Sequence, residues 1–420
     1  MVNILAQNDF SSHYYRTWPM FLISFIRLFY TSIFERALSN YLFFIIGIDP
    51  SVLGFISAAG ALIYIIAPLL GQILTTKYLG VRNALILNSI LTPILTGIQI
   101  IFPEPIFLII IRILAGLNMG LFWPNCLSLL SKWQRVSSIE KSKKNFAVFN
   151  FSWNFGFIFG LIVGFLWALS IGDLFAMIIS WSFSILLIPI SFFLKTEEKL
   201  VILEDKVIYQ TEDPLSHLDI EEDLVINSQT PMIIYPILFS WLGIMFLATS
   251  KSIFIFGYPI LLKYFISSNT PTWLTYLVQG GVQFTQLIGL TWINSMKTYN
   301  RKIASLLGVT MVVVTALLII LFGNIWLISI VIASVGLFLG FIHGVGMKIM
   351  LEYGTVKNTS KYSTINEILI GIGFGITPIV SGFVVEIQIY AIHGFIIVFG
   401  IFALICLIYL SRYIKRSLFS

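Results

Sequence analysis

Apolar residues run through this chain in twelve long stretches: 20–46, 53–76, 84–102, 106–131, 146–169, 174–194, 232–260, 272–294, 303–322, 326–350, 363–386 and 391–411. Each is close to or beyond the roughly 20 residues that an α-helix needs to cross a hydrocarbon layer. None alternates with the period of two that a barrel strand shows, and only helices and closed barrels satisfy their backbone groups in lipid. The pattern therefore predicts membrane helices, of which the eighth is the least apolar. Between the sixth and the seventh lies a polar stretch, 195–231, with ten acidic residues, among them Glu221, Glu222 and Asp223, and three lysines. It lacks the apolar content to bury a core and reads as a linker. The expectation is an all-α membrane protein of about twelve transmembrane helices: a six-helix half (1–194), an acidic linker (195–231) and a second six-helix half (232–420).

Composition agrees with that solvent. Of 420 residues, 58% are apolar and 10% charged, against about 25% charged in an average soluble domain. The two cysteines, Cys126 and Cys406, both fall inside apolar stretches, where they read as small buried hydrophobes and support neither a disulfide framework nor a thiolate metal site. The formal charge of +6 does not indicate a nucleic-acid partner, because the basic residues sit in short loops between spans. The first apolar stretch is too long for the core of a cleavable signal peptide.

Loop parity sets the expected orientation. Arg16, Lys77, Arg82, Lys132, Arg135, Lys141, Lys143, Lys144, Lys297, Arg301, Lys302, Lys357, Lys361, Arg412, Lys415 and Arg416 fall on one side. The other side offers Asp49, Glu104, Asp173 and Glu386, with Lys263 its one cation. Basic loops face the cytoplasm, so both termini and the linker are expected there, in a cell (plasma) membrane.

Three local patterns sharpen the picture. Gly71 to Arg82, between the second and third spans, combines a glycine, Lys77, Gly80 and Arg82; the first glycine suits a close helix approach, Gly80 a tight turn, and the cations an anionic membrane face. Arg112 to Pro124 forms the fourth span, and Asn150 to Gly164 places Gly156, Gly160 and Gly164 at intervals of four in the fifth. Together with the six-plus-six plan, these resemble the major facilitator superfamily, whose loop signature carries an acid where this chain has Thr75 or Thr76. The fifth span lacks the glycine-proline pair of that family's drug/proton antiporters. The resemblance implies two parallel halves, a solute site at mid-membrane between them, a cytoplasmic gate at Gly71, Lys77, Gly80 and Arg82, and central helices one, four and seven lining the cavity.

Charge inside a span costs several kcal/mol and should face the bundle interior. Glu35, Arg36, Arg112 and Lys251 stand in spans one, four and seven, three cations against one acid. The excess points to a small anionic solute held by Arg36, Arg112 and Lys251 with Asn118, and Glu35 is the best-placed acid for proton coupling. Two competing arrangements stay open: Glu35 tied to Arg112 as a structural pair with Lys251 reaching outward, or a neutral solute such as a sugar or a drug-like molecule on the Asn150/Asn154 and Gln279/Gln283/Gln286 faces. Arg27 is expected to reach for the interface, Glu367 to cap its helix or join the inner gate, His343 to pack, and Lys348 to pair with Glu352 on a helix surface. The glycine ladders, Gly371 and Gly375 included, are expected to mark close helix contacts, and Trp18, Tyr264 and Trp326 to anchor at interfaces. No metal-ligand cluster, phosphate-cradling loop or catalytic constellation is present in the sequence, so neither cofactor nor enzymatic activity is expected. The partners expected are a solute and the lipid bilayer, with the chain acting as a monomer by secondary active transport; a non-transporting receptor on the same plan is the other class.

The orientation has a direct check. With the linker cytoplasmic, a Ser216→Cys variant will resist a membrane-impermeant thiol reagent applied to intact cells and will label after permeabilisation; ready labelling of intact cells would reverse the topology.

Overall fold

The computed structural model describes residues 16–135, 139–195, 232–266, 270–356 and 359–417. The linker beyond Lys195 and Lys357 lie outside the described residues, as do the side chains of Lys132, Arg135, Lys143, Glu352 and Lys361.

Twelve helices account for nearly all of the described chain. In the first half they are α1 (Trp18–Asn40, continuing as the π-helical Tyr41–Ile46), α2 (Pro50–Tyr64, resuming as Ala67–Leu74), α3 (Gly80–Ile101), α4 (Pro105–Met119, resuming as Trp123–Arg135), α5 (Ile139–Ser170) and α6 (Asp173–Ile185, resuming as Leu187–Phe192). The second half holds α7 (Ile237–Phe265), α8 (Trp273–Ser295), α9 (Arg301–Leu321), α10 (Ile325–Val356), α11 (Thr359–Ile387) and α12 (Ala391–Leu410). A short antiparallel pair, β1 (Met232–Ile234) and β2 (Lys415–Ser417), sets Ile233 opposite Arg416 and joins the entry of the second half to the end of the chain.

Proline placement explains where the helices start and break. α2 and α4 open on Asp49-Pro50 and Glu104-Pro105, with the residue before each proline extended at ψ 148° and 136°. The interruptions in α2, α4 and α6 precede Pro68, Pro124 and Pro189. A proline ring collides with the carbonyl four residues back, which here is that of Tyr64, Gly120 or Ile185. The first segments of α2 and α6 stop on those residues, and that of α4 one residue earlier.

Nine helical stretches among the described residues are long and apolar enough to cross a membrane. α1, the first segment of α2 and α8 fall outside that set. α1 carries Arg27, Glu35 and Arg36, and α8 carries Gln279, Gln283 and Gln286, so these helices keep polar faces off lipid by standing at the seam between the halves. The seam is built by α2 against α11 and by α5 against α8.

Small residues let the backbones close. A Cβ added at Gly156 or Gly160 of α5 would collide with the carbonyl oxygens of Phe25 and Phe29 on α1, and one at Gly54 of α2 with that of Pro378 on α11. Gly371 and Gly375 of α11 lie against Ile65 and Leu62 of α2. The glycine ladders are thus contact surfaces, one within a half and one across the seam.

Gly54→Val will force α2 off α11 and lower the thermal unfolding midpoint in detergent, an overpacking cost of about 1–3 kcal/mol. Gly394→Ala, where a Cβ meets open space, will leave the midpoint nearly unchanged; equal shifts for both would mean that the close approach at Gly54 carries no weight.

Candidate functional site

A cavity of about 250 Å³ opens between the halves, near the middle of the bundle. Glu35, Arg36 and Ser39 of α1 line it together with Ser57 of α2, Arg112 of α4, Ser252 of α7, Gln279 of α8 and Pro378 of α11. Arg112 and Glu35 form an ion pair, Nη2 to Oε2 at 2.6 Å, with Arg112 12% and Glu35 47% exposed. The pair spans α1 and α4 within one half, and its carboxylate faces the cavity.

Arg36 is buried and crosses the seam. Its Nε donates to Gln279 Oε1 at 2.7 Å and its Nη2 to the Ile255 carbonyl at 3.5 Å, so one side chain of the first half is held by α7 and α8 of the second. No carboxylate contacts it among the described residues, and its Nη1 has no partner there.

Lys251 is turned away from the cavity. Its ammonium donates to Gln283 Oε1 at 2.8 Å and Gln286 Oε1 at 2.6 Å on α8. The same two amides continue the network, Gln283 Nε2 donating to Asn154 Oδ1 on α5 at 3.3 Å and Gln286 Nε2 meeting His343 Nδ1 on α10 at 3.2 Å. The glutamine face of α8 thus carries two cations, Arg36 at the cavity and Lys251 further along.

Asn118 is buried between α3 and α4 instead of facing the cavity. Its Nδ2 donates to Thr92 Oγ1 at 3.0 Å, and its carbonyl accepts from Asn88 Nδ2 at 2.6 Å. Arg27 departs from the interfacial position expected of it. It is buried and bonds Asn88, Thr92 Oγ1 and Met119 Sδ, with its guanidinium 4.3 Å from the centre of the Phe122 ring. Polar residues of α3 supply acceptors inside the half, so the side chain need not reach water.

The loop between α2 and α3 has a positive φ of 70° at Gly80, and Gly71 packs on the backbone of Gly120 in α4. Arg82 donates to the carbonyls of Leu194 and Phe192 at 2.8 and 3.2 Å, closing the C-terminal end of α6, while Lys77 is exposed. Thr75 accepts from Asn125 Nδ2 of α4 at 3.0 Å, tying the loop where an acid is absent.

Three charges that the sequence assigned only to loops, Asp173, Lys263 and Glu386, lie at the seam. Asp173 had been placed in a loop, yet it is 4% exposed at the start of α6. It accepts from Asn40 Nδ2 (3.1 Å), Thr272 Oγ1 (2.6 Å) and Tyr276 Oη (2.7 Å), the last two on the opposite half. Lys263 donates to the Phe43 carbonyl at 3.2 Å and Glu386 accepts from the Ser51 amide at 3.0 Å, so several polar links cross the seam at the end that bears the acidic loops. Further along, Tyr64 donates to Glu367 Oε2 at 3.3 Å. The cue available for Asp173 was its place directly after Gly172, in the first turn of a helix, where the dipole favours an acid.

The model described as Major Facilitator Superfamily matches residues 20–208 and 240–418. No curated protein sequence matches the chain. Among solved structures, that of the nucleoside transporter NupG has a TM-score of 0.68 at 13% identity, covering 94% of this chain and 99% of its own. A POT family transporter in complex with 5-aminolevulinic acid scores 0.66 at 13% identity, covering 94% and 95%. A mutant of peptide transporter POT in complex with sulfate scores 0.62 at 16% identity, covering 95% of each chain. At these identities the likeness is one of fold.

Removing the acid from the seam has a measurable cost. Asp173→Ala strands the Asn40, Thr272 and Tyr276 donors and will destabilise the protein by about 1–3 kcal/mol. In intact cells it will also raise thiol labelling of a cysteine at Ser39, beside the cavity; unchanged labelling in the folded variant would mean the contact does not hold the seam.

Proposed function

Because this chain belongs to the major facilitator superfamily, we propose that it moves a small anionic solute across its membrane by alternating access, as a monomer with the basic end of the bundle in the cytoplasm. The solute binds in the cavity between the halves, and Arg36 is its principal partner. The observation that supports this reading is the state of Arg36: a buried guanidinium at the cavity wall, held from the opposite half by Gln279 and Ile255, with no contacting carboxylate and no Nη1 partner among the described residues. A carboxylate or phosphate is the complement of that planar fork.

The Glu35–Arg112 pair takes a supporting part. Its charges cancel, so the remaining cation at the cavity is Arg36, on which Asp173 and Glu35 act without touching it, and an anion entering there meets a guanidinium with a donor to spare. The anion also draws α1, α7 and α8 onto one ligand, a contact shared between halves that rocking can make and break. The solved structures of similar fold are named for nucleoside and peptide transport, so polar solutes suit this architecture. A neutral solute is the second reading, favoured by the self-neutralised pair and by the cavity hydroxyls of Ser39, Ser57 and Ser252.

Purified, monodisperse protein will bind one or more of acetate, lactate and succinate more tightly than the corresponding amides. Arg36→Gln will weaken that binding roughly tenfold or more, the loss of a charge-assisted hydrogen bond, and Arg36→Lys will recover only part of it. Equal affinity for acid and amide, or undiminished binding by folded Arg36→Gln, would defeat the anion reading in favour of the neutral one. Flux of the bound solute into liposomes separates a carrier from a receptor.

A further inference from the structure

Apart from the exposed Glu386, three carboxylates stand at or beside the seam, and each is satisfied differently. Glu35 has a guanidinium at 2.6 Å. Asp173 has three donors and a helix N-terminus. Glu367 has one hydroxyl, Tyr64 Oη at 3.3 Å, and no cation contacts it among the described residues. A carboxylate inside a membrane needs a counter-ion, several donors, or a proton. The first two acids have one of the first two remedies. We propose that Glu367 takes the third: it is a proton-binding site of this transporter, loaded and unloaded as the halves move.

Its place in the fold suits that work. Ala61 of α2 and Phe374 of α11 line the cavity; Tyr64 lies one helical turn beyond Ala61 and Glu367 two turns beyond Phe374, both toward the basic end. The Tyr64–Glu367 contact therefore forms a floor under the solute site and joins helices of opposite halves. Rocking of the halves separates the two groups in one state and joins them in the other, so the carboxyl alternates between a single hydroxyl and water. As the contact closes, burial favours the carboxyl's own O–H bond and a proton is taken from water; as it opens, that bond breaks and the proton returns to water.

Among the described residues, the neighbours do not supply a counter-ion. α11 packs against α2, α7, α10 and α12. On α7, Lys251 is engaged by Gln283 and Gln286 of α8. On α10, His343 faces Gln286 and Lys348 donates to the Ile293 carbonyl. On α12, His393 lies against Phe254, and Tyr409 bonds Tyr413. Arg27 of α1 is close enough to act on Tyr64 electrostatically, but its bonds go to Asn88, Thr92 and Met119.

This inference rests on the transporter reading and not on the charge of the solute. The test is infrared spectroscopy of the full-length protein in liposomes, following the protonated-carboxyl band from about pH 5 to about pH 9, a span that covers buried glutamates. The parent will show a titrating band that Glu367→Gln removes and that Glu35→Gln and Asp173→Asn keep. Tyr64→Phe, which deletes only the hydroxyl, will retain the band and move its frequency. A band that persists in folded Glu367→Gln, or a parent with no titrating band, would overturn the proposal. If Glu367→Gln does not fold, an unmoved band in Tyr64→Phe does so instead. Failure of acetate, lactate and succinate to bind would sink the anion reading and leave this result standing.

Discussion

A guanidinium buried in a membrane protein needs partners, and Arg36 finds two of them only because two halves of the chain meet around it. Its bonds to Gln279 and Ile255 require α7 and α8 to stand beside α1. That demand explains why α8 is polar along one face, why α1 is at the centre instead of at the lipid edge, and why the cavity lies where it does. Without the second half, Arg36 would lie at an open apolar face, at a cost of several kcal/mol.

The links across the seam form a graded series. Nearest the acidic end are Lys263 to Phe43, Ser51 to Glu386 and the cluster around Asp173; at the cavity is Arg36; beyond it come Asn154 to Gln283 and Tyr64 to Glu367. Most involve a charged group on one side and a neutral polar group on the other. Such contacts are strong enough to define a closed state, yet they can exchange partners with water when the halves separate, which a buried ion pair across the seam would do less readily.

The twelve helices, the division into halves and the turn at Gly80 were legible because they depend on local patterns: apolar length, charge parity and backbone freedom. Glu35, Arg36 and Arg112 were legible as a group because each is a charge in an apolar run at similar depth. The azimuth of each side chain was not. In a helix that is apolar all round, nothing in the sequence says which face meets which neighbour, so Lys251 could not be assigned to α8 or Asn118 to α3. Asp173 was missed for a related reason: its partners Thr272 and Tyr276 lie about a hundred residues away, and at the end of a span an acid buried by such partners looks the same as one in water. Arg27 was misplaced because depth alone suggested a reach to the interface, whereas acceptors on α3 made burial affordable.

The polarity of α8 has a consequence for how the chain is made. Translocon insertion favours leucine-rich segments, and a stretch bearing Gln279, Gln283 and Gln286 falls outside the set that is apolar enough to cross unaided. α7 precedes it with a long apolar run and brings Lys251, the cation that Gln283 and Gln286 receive. That ammonium links α8 to the helix synthesised just before it, while α8 packs chiefly on α10 and α5. Loss of Lys251 would leave two glutamines of a helix of modest apolarity without that partner, a cost met as α8 enters the bilayer as well as in the finished bundle.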